Sequence, residues 1–384
     1  MRQRFLSLAS TPSLQHQNLS SPCQEASNNL CYIHDADVIC MEIDDDFGEP
    51  QIVRQSKVDM RGGCIIYQAG YLNVGSTVCL GIATDNGFYL WSSGGDRMLW
   101  FAGIEAIIAA YPGGNTQPDM QLHYARGMAS HPFSRSLPDG DGVQNSHVCV
   151  GSSLGSVCVY TSNGTLFRCL SPAAEGRAIT CLAASALYLL SADEEGNIRA
   201  YSITDNYENV MQISTTGTAN SVVGKYCTSI CTRKTTAIAA FSTGHMRVYN
   251  IDLGQCVLEL AAHSRCITGM ALHPTEDYVA TCGEDQAINV WTVPTFSPRS
   301  GSSARAPCTM DLSHCEHWID SLCTGITWWH GTYVLCVGYD SSHMFAATHH
   351  TPENTRPEEF RQMKEMSALL HTASTAMDDF CDEK

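Results

Sequence analysis

The feature that most constrains the fold is a stretch of 30 residues, 262–291, in which short apolar runs alternate with turns. The runs at 266–272, 278–281 and 287–291 are rich in Ile, Val, Ala and Thr, and they are separated by the turn-forming sequences HPTED and GEDQ. Runs of this length between such turns predict β-strands that pair with their neighbours as hairpins. The stretch therefore predicts an antiparallel sheet of at least three strands.

Four polar side chains in this stretch are spaced so that they can bond to one another. We expect Asp285 to accept a hydrogen bond from the ring of His263, His263 to reach Thr281, and the Thr281 hydroxyl to reach the indole N–H of Trp291. Such a chain would satisfy polar groups that are costly to bury without partners. A catalytic use of the His–Asp pair is the alternative, but the motif holds no nucleophile, and the structural interpretation is favoured.

The stretch recurs in weaker copies. In each copy a turn is followed by a β-run that ends in an aromatic residue. These aromatic residues are Trp91, Tyr160, Tyr201, Tyr249 and Trp291, and a last copy ends at residue 346. Three of the five intervals are 41, 48 and 42 residues, close to the ~40–45 residues of a four-stranded propeller repeat. Asp85 stands six residues before Trp91, as Asp285 does before Trp291, and the last copy keeps an acid at Asp340. These residues are expected to belong to the same structural network.

In this spacing and in its Asp, His, Thr and Trp positions the chain resembles the WD40-repeat β-propellers. The resemblance implies an all-β fold, a single seven-bladed propeller of four-stranded blades over residues 25–350. Six copies are readable, and the seventh blade is expected from the apolar runs at 30–34, 37–43 and 51–55. Residues 1–24 form an N-terminal segment, of which 4–9 are expected to be the strand that closes the ring. Residues 351–384 form a tail.

In the tail the sequence no longer alternates between apolar runs and turns. Phe360, Met363, Met366 and Leu370 recur at helical spacing after a Pro and two acids, and the sequence then becomes acidic. This predicts a short amphipathic helix. It could pack on the propeller's own side, or it could serve as an anchor for a partner, since Met-rich apolar faces suit grooves. Both interpretations stay open at this point.

Composition excludes several classes of partner. The chain has 22 basic and 39 acidic residues, for a formal net charge of −17, and shows no basic stripe. We therefore expect no nucleic-acid binding, no attraction to anionic membranes and no membrane insertion. The 19 cysteines are irregularly spaced, mostly inside apolar runs, and no secretory signal precedes them, which indicates a reducing, cytoplasmic location.

Two motifs could carry chemistry, and neither has the context it needs. The sequence GSSLG at 151–155 matches a nucleophile elbow, but it lies between two predicted strands rather than a strand and a helix. Cys and His residues at 308, 314, 315, 317 and 323 lack the paired spacing of zinc ligands. No cofactor motif is present. We expect a protein without enzymatic activity, cofactor or metal.

The resemblance implies a scaffold that binds partner proteins through loop faces, above all the face that carries the turns between the second and third strands of each blade. Candidate contacts there are Arg126, Arg265 and Tyr339, with Phe360, Met363, Met366 and Leu370 on the tail. Trp328 and Trp329 qualify by residue type, although a core position is the favoured interpretation of this pair. The long loops 131–146 and 294–307 are expected on the opposite face. The alternative is a structural subunit of a microtubule or ciliary assembly, with tubulin or axonemal proteins as partners; a propeller-fold enzyme is less favoured.

Overall fold

The computed structural model describes residues 3–22, 28–46, 49–60, 63–109, 124–134, 144–170, 176–213, 226–294 and 308–349. Within these residues the chain forms 27 strands and one short helix. The first strands are β1 (Gln3–Ser7), β2 (Asn29–His34), β3 (Asp37–Asp46), β4 (Glu49–Lys57), β5 (Ile66–Val74), β6 (Thr77–Thr84), β7 (Gly87–Ser92) and β8 (Met98–Gly103). After the helix α1 (Ile104–Ala109) come β9 (Ala125–Ser134), β10 (Gln144–Ser152), β11 (Val157–Thr161), β12 (Leu166–Leu170), β13 (Ile179–Ala184), β14 (Tyr188–Asp193), β15 (Ile198–Ser202) and β16 (Glu208–Ile213). The last are β17 (Cys227–Arg233), β18 (Thr236–Phe241), β19 (His245–Asn250), β20 (Gln255–Ala261), β21 (Ile267–Leu272), β22 (Tyr278–Gly283), β23 (Ala287–Thr292), β24 (Leu312–His317), β25 (Cys323–Trp329), β26 (Tyr333–Gly338) and β27 (His343–Thr348).

These strands form seven antiparallel sheets, which are the blades of a propeller. Blades 2 to 6 are built from β5–β8, β9–β12, β13–β16, β17–β20 and β21–β24, each in sequence order. Their first strands contact one another in turn around the axis, so the first strand of each blade is innermost. The predicted fold, a seven-bladed propeller, is confirmed.

The two remaining blades depart from the simple repeat. Blade 7 consists of β25, β26 and β27 with β1 as its outer strand, and Phe5 of β1 lies opposite Phe345 of β27. The N-terminus thus pairs with the last blade, where the sequence placed a closing strand. Blade 1 has three strands among the described residues, β2–β4, and not the four that were expected. Its inner position is taken by irregular backbone around Ser20, which makes one isolated bridge to Cys31.

The core lies between neighbouring blades. Ile238 and Val248 of blade 5, for example, pack against Ile267, Val279 and Trp291 of blade 6 in one buried cluster. Each sheet is therefore covered on both faces, which explains why the inner strands read as continuous apolar runs instead of alternating ones. The described cysteines are free thiols, and most are buried among apolar side chains as small hydrophobic residues.

Glycine is required where the turn after the second strand of a blade meets the next blade. Gly155 (φ 79°) and Gly244 (φ 83°) both have left-handed backbone. A Cβ on Gly155 would lie 2.5 Å from the carbonyl oxygen of Arg177, and one on Gly244 would lie 2.3 Å from that of His263. Only glycine combines this φ with such a close approach of two backbones. We call the face that carries these turns the upper face, and the opposite one the lower face.

Residues 8–22, which we call the N-terminal strap, connect β1 to blade 1 across the upper end of the central channel. Several of its groups bond to inner strands of other blades, among them the Gln15 amide to Ile66 O (2.8 Å), the Gln17 N–H to Thr268 O (2.7 Å) and the Asn18 N–H to Thr324 O (3.0 Å). The Asn18 side chain also bonds the backbone of Ile33 in blade 1. The N-terminal strap therefore ties blades 1, 2, 6 and 7 together at the axis.

Candidate functional site

Blade 6 contains the polar chain that the sequence predicted. The His263 ring lies 2.9 Å from Asp285 Oδ1 through Nδ1 and 2.9 Å from the Thr281 hydroxyl through Nε2, and the Trp291 indole N–H donates to the same hydroxyl at 3.0 Å. Asp285 also accepts the backbone N–H of Ser264 at 2.8 Å. Since the side chain of His263 is fully buried and both its nitrogens have partners, the network ties a connection between blades to two strands.

The interactions of Asp285 lower its pKa by more than burial raises it. Burial raises the pKa of this carboxyl, but the hydrogen bond and charge of His263 and the N–H groups of Ser264 and Ala287 lower it, and the net result is a pKa of about 2. The carboxylate is therefore ionised at neutral pH and acts as a fixed acceptor. Its role in the structure is to hold the ring of His263.

The structure does not extend this network to the other predicted members, Asp85, Trp91 and Asp340. The Trp91 indole N–H is buried without a hydrogen-bond partner among the described residues. Ile82, which pairs with Tyr89, takes the place of Thr281 in blade 2 and has no hydroxyl to offer. Asp85 instead accepts the N–H of Ile65 at 3.0 Å.

Asp340 differs in another way. It is exposed in a turn with φ of 53°, and its backbone N–H donates to Pro12 O of the N-terminal strap at 3.1 Å. The sequence interval found the turn correctly in both blades. It could not show that, among the described residues, neither carboxylate is hydrogen-bonded to a histidine as Asp285 is.

A second constellation lies on the upper face, around the end of the channel. The rings of Tyr67 and Tyr124 are 4.8 Å apart, and the ring of His16 stacks on Tyr226 at 5.6 Å. The charge of Arg126 acts on the pKa of all four of these groups, so its guanidinium lies within electrostatic range of each of them. We call these five residues the upper-face cluster. All five are partly exposed.

The fold explains why these residues meet. Tyr67 is the second residue of β5, Tyr124 directly precedes β9 and Tyr226 directly precedes β17. Each tyrosine therefore lies at the upper-face end of an innermost strand. Inner strands converge at the axis, which brings together side chains from blades 2, 3 and 5. The N-terminal strap adds His16 from above.

Electrostatics at the upper-face cluster favour a neutral histidine and neutral tyrosines. Burial, followed by the charge of Arg126, lowers the pKa of His16 to about 4. Burial, followed by the charge of Asp85, raises the pKa of Tyr67, and Arg126 opposes it. Burial likewise raises the pKa values of Tyr124 and Tyr226, and the charges of Glu194 and Glu284 add to these shifts. Three carboxylates from three separate turns therefore act on the tyrosines of this cluster.

The predicted partner residues are found in different places. Arg126 lies in the upper-face cluster, whereas Arg265 and Tyr339 are exposed elsewhere on the same face. Trp328 and Trp329 are buried, at 4% and 1% exposure, and belong to the core. The tail residues Phe360, Met363, Met366 and Leu370 lie outside the described residues, as do most of the loops 131–146 and 294–307.

Sequence reasoning missed four of the five members of the upper-face cluster, namely His16, Tyr67, Tyr124 and Tyr226. They are separated by up to about two hundred positions, and no motif joins them. One signal was available: each tyrosine stands at the start of an innermost strand, and a search of those positions for aromatic residues would have found all three.

Other candidate chemistry has a structural explanation. Residues 151–155 span the end of β10 and the turn that leads to β11, a connection from strand to strand. In the described part of the chain, no group of three or more metal-binding side chains lies together. No helix among the described residues is long and apolar enough to cross a membrane.

Comparison with known proteins agrees with the fold. Residues 254–292 match the family model "WD domain, G-beta repeat" (WD40), a segment that covers β20 and the first three strands of blade 6. The chain is 20% identical to mouse WD repeat-containing protein 54 over 282 residues, 70% of this chain and 74% of that protein. It is 22% identical to the Caenorhabditis elegans WD repeat-containing protein dyf-2 over 204 residues, 50% of this chain but 13% of that much longer protein. The chain is thus a seven-bladed β-propeller with a WD40 repeat in its sixth blade, and it resembles WD repeat proteins.

Proposed function

We propose that this protein is a non-catalytic scaffold that binds a partner protein at the upper-face cluster. WD40 propellers generally mediate protein interactions, and the finer assignment rests on one observation. Aromatic side chains from three blades and an arginine are gathered, partly exposed, at a single point of the face. Tyr and Arg are, with Trp, the residues enriched among the hot spots of protein interfaces.

The surroundings of the upper-face cluster indicate the chemistry of the partner. Asp85, Glu194 and Glu284 act on the three tyrosines and outnumber Arg126. A Lys or Arg side chain of a partner could lie over a tyrosine ring and close to a carboxylate at the same time, which combines cation–π attraction with charge complementarity. The proposed ligand is therefore a basic segment of a protein, in keeping with the net charge of −17.

The geometry of blade 6 supports a non-catalytic role. A catalytic His–Asp pair needs a free ring nitrogen within reach of a nucleophile. In this blade the second nitrogen of His263 faces the Thr281 hydroxyl, which is itself buried and bonded by Trp291. The His263–Asp285 pair thus has a structural role in blade 6.

Quantitative affinity capture from cell extract tests the proposal. We compare the wild type with Tyr67→Ala and Tyr226→Ala, and use Phe101→Ala, an exposed aromatic residue on the outer strand of blade 2, as the matched control. We expect specific partners to be reduced about tenfold or more in both cluster variants, as hot-spot losses are, and retained by the control. If both tyrosine variants capture the same proteins in the same amounts as the wild type, the upper-face cluster is not the binding site.

The alternative, a structural subunit of a microtubule or ciliary assembly in contact with tubulin or axonemal proteins, is favoured by the lower face. The described ends of β9 and β10, and of β23 and β24, lie on that face, and the long connections between them could contact neighbours in an array. Detergent extraction with fractionation separates the two proposals. A freely soluble pool argues against the array, and complete retention in the insoluble pellet argues against a free cytoplasmic scaffold.

A further inference from the structure

Blade 3 carries two cysteines that face each other across its outer hairpin. Cys158 lies in β11 and Cys169 in the outermost strand β12, and the register places the two directly opposite. Residues that are directly opposite in an antiparallel pair have their side chains on the same face of the sheet. Both side chains accordingly pack in the apolar cluster between blades 2 and 3, together with Trp100. The two free thiols therefore lie side by side.

The backbone at this position has the dimensions that a disulfide requires. In an antiparallel ladder, directly opposite Cα atoms are about 4.5–5.5 Å apart. Disulfides form between cysteines whose Cα atoms are about 4.4–6.8 Å apart. The thiols of Cys158 and Cys169 already interact, since the hydrogen bond between them is the largest influence on the pKa of each. A bond between the two sulfur atoms therefore needs rotation of the side chains and no displacement of the strands.

The two thiols differ in their access to solvent and in their acidity. Cys169 is partly exposed, whereas Cys158 is fully buried. The hydrogen bond from the Cys158 thiol lowers the pKa of Cys169, burial opposes this shift and the Ser156 hydroxyl adds to it. The same hydrogen bond, followed by burial, raises the pKa of Cys158. Since the thiolate is the nucleophilic form of cysteine, Cys169 is the member of the pair that reacts first with an oxidant from solvent.

Two other pairs of neighbouring cysteines lack such a member. Cys31 and Cys40 are likewise directly opposite, on β2 and β3, but they are buried at 0% and 6% exposure. The sulfur atoms of Cys181 and Cys227 are 3.6 Å apart, between blades 4 and 5, and these residues are buried at 3% and 0% exposure. Buried thiols in apolar surroundings are inert. Proximity combined with partial exposure therefore distinguishes the blade 3 pair from both.

We propose that Cys158 and Cys169 form a redox-modification site, which hydrogen peroxide converts to a disulfide and glutathione reduces again. The bond would join the outermost strand β12 covalently to β11 at the rim of the propeller. This inference is independent of partner binding at the upper-face cluster, because that cluster lies at the axis and is built from inner strands and the N-terminal strap.

The reaction proceeds in two balanced steps. The Cys169 thiolate attacks one oxygen of hydrogen peroxide, the O–O bond breaks, and Cys169 becomes a sulfenic acid while the departing hydroxide takes up a proton to form water. The sulfur of Cys158 then attacks the sulfur of Cys169, loses its proton and displaces the sulfenic oxygen as a second water. Two molecules of glutathione reverse the oxidation and leave as their own disulfide.

Mass spectrometry of the full chain tests the proposal. The purified protein is treated with hydrogen peroxide, free thiols are blocked with N-ethylmaleimide in denaturant, and a tryptic digest is analysed without reduction. Trypsin cuts after Arg168, so a bond between the two cysteines joins two separate peptides, and fragmentation distinguishes Cys158 from Cys149 in the longer one. We expect a Cys158–Cys169 link that dithiothreitol or glutathione removes, while the buried pair of blade 1 is recovered as blocked thiols.

Three results would overturn the proposal. Cys169 could stay a free thiol under peroxide, it could be oxidised to sulfinic acid without a link, or it could link to a different cysteine of the same or another molecule. Each of these outcomes would show that Cys158 does not complete the reaction.

A sulfenic-acid trap tests the order of the two steps. In Cys158→Ala the intermediate on Cys169 has no second thiol to react with, so dimedone should label Cys169 about tenfold or more above the wild type at the same peroxide exposure. The matched control Cys40→Ala removes one thiol of the buried pair in blade 1 and should leave this labelling at the wild-type level. Equal labelling of wild type and Cys158→Ala contradicts the mechanism. The wild-type link needs no variant, so it decides the proposal even if Cys158→Ala does not fold.

Discussion

Removal of the carboxylate of Asp285 should destabilise the propeller measurably. In Asp285→Ala the ring of His263 loses the acceptor of its Nδ1–H, and this side chain is fully buried. An orphaned buried donor costs roughly 1–3 kcal/mol. The N–H of Ser264 also loses its partner, but Ser264 is exposed and water can replace the acceptor. We therefore expect a loss of about 1–3 kcal/mol in the free energy of unfolding.

Equilibrium urea unfolding of the two proteins measures this difference. The matched control is Asp85→Ala, since Asp85 occupies the corresponding turn of blade 2 but accepts the N–H of Ile65, a residue that is 60% exposed. We expect the control to change stability by less than about 0.5 kcal/mol, as surface substitutions usually do. An unshifted midpoint in Asp285→Ala, or equal shifts in both variants, would refute the reasoning from the buried His263.

The same carboxylate predicts a pH dependence. Its pKa falls from an ordinary value of 3.8 to about 2 in the folded protein. A depressed folded-state pKa contributes stability that is present above pH ~4 and is lost as the pH falls from there through about 2. Asp285→Asn cannot titrate. The gap in unfolding midpoint between wild type and this variant should therefore narrow between pH 4 and pH 2, and a constant gap would contradict the assignment.

Three further variants test other parts of the structure by urea or thermal unfolding. Trp291→Phe should cost about 1 kcal/mol more than Trp91→Phe, because one indole N–H is hydrogen-bonded and the other is not; equal losses would contradict this difference between the blades. Gly325→Ala should cost about 1–3 kcal/mol, because the new Cβ meets the N-terminal strap, whereas the new Cβ in Gly94→Ala makes only an ordinary contact, 3.6 Å from Asp96 Oδ1, and should be neutral; equal effects would mean that the strap is not seated there. Deletion of residues 1–10 removes β1 from blade 7 and should lower the melting temperature; an unchanged value would show that β1 does not close the ring.

The architecture could be predicted because it repeats. Each of Tyr160, Tyr201 and Tyr249 lies in the third strand of its blade, as the interval from Trp291 indicated, since every blade buries its strands in the same way. The local pattern of apolar runs also predicted the positions of β2, β3 and β4. These features depend on residues that are close together in the chain.

What could not be predicted depends on contacts across the ring. The missing inner strand of blade 1 is replaced by backbone that bonds to Thr268 and Thr324, more than two hundred positions away. The upper-face cluster likewise joins blades 2, 3 and 5 with the N-terminal strap. In blade 2, Asp85 and Trp91 have the right spacing, but the network needs a hydroxyl at the position of Ile82, which only the strand register identifies.

Peptide selection tests binding at the upper-face cluster most directly, because it requires no knowledge of the partner. A random displayed library is selected on the immobilised full chain, and the selected peptides are measured against the wild type, Tyr226→Ala and Glu284→Gln. The account predicts peptides with a Lys or Arg at a fixed position, whose affinity falls about tenfold in each variant. Selected peptides without a basic residue, or with affinities that neither variant changes, would contradict it.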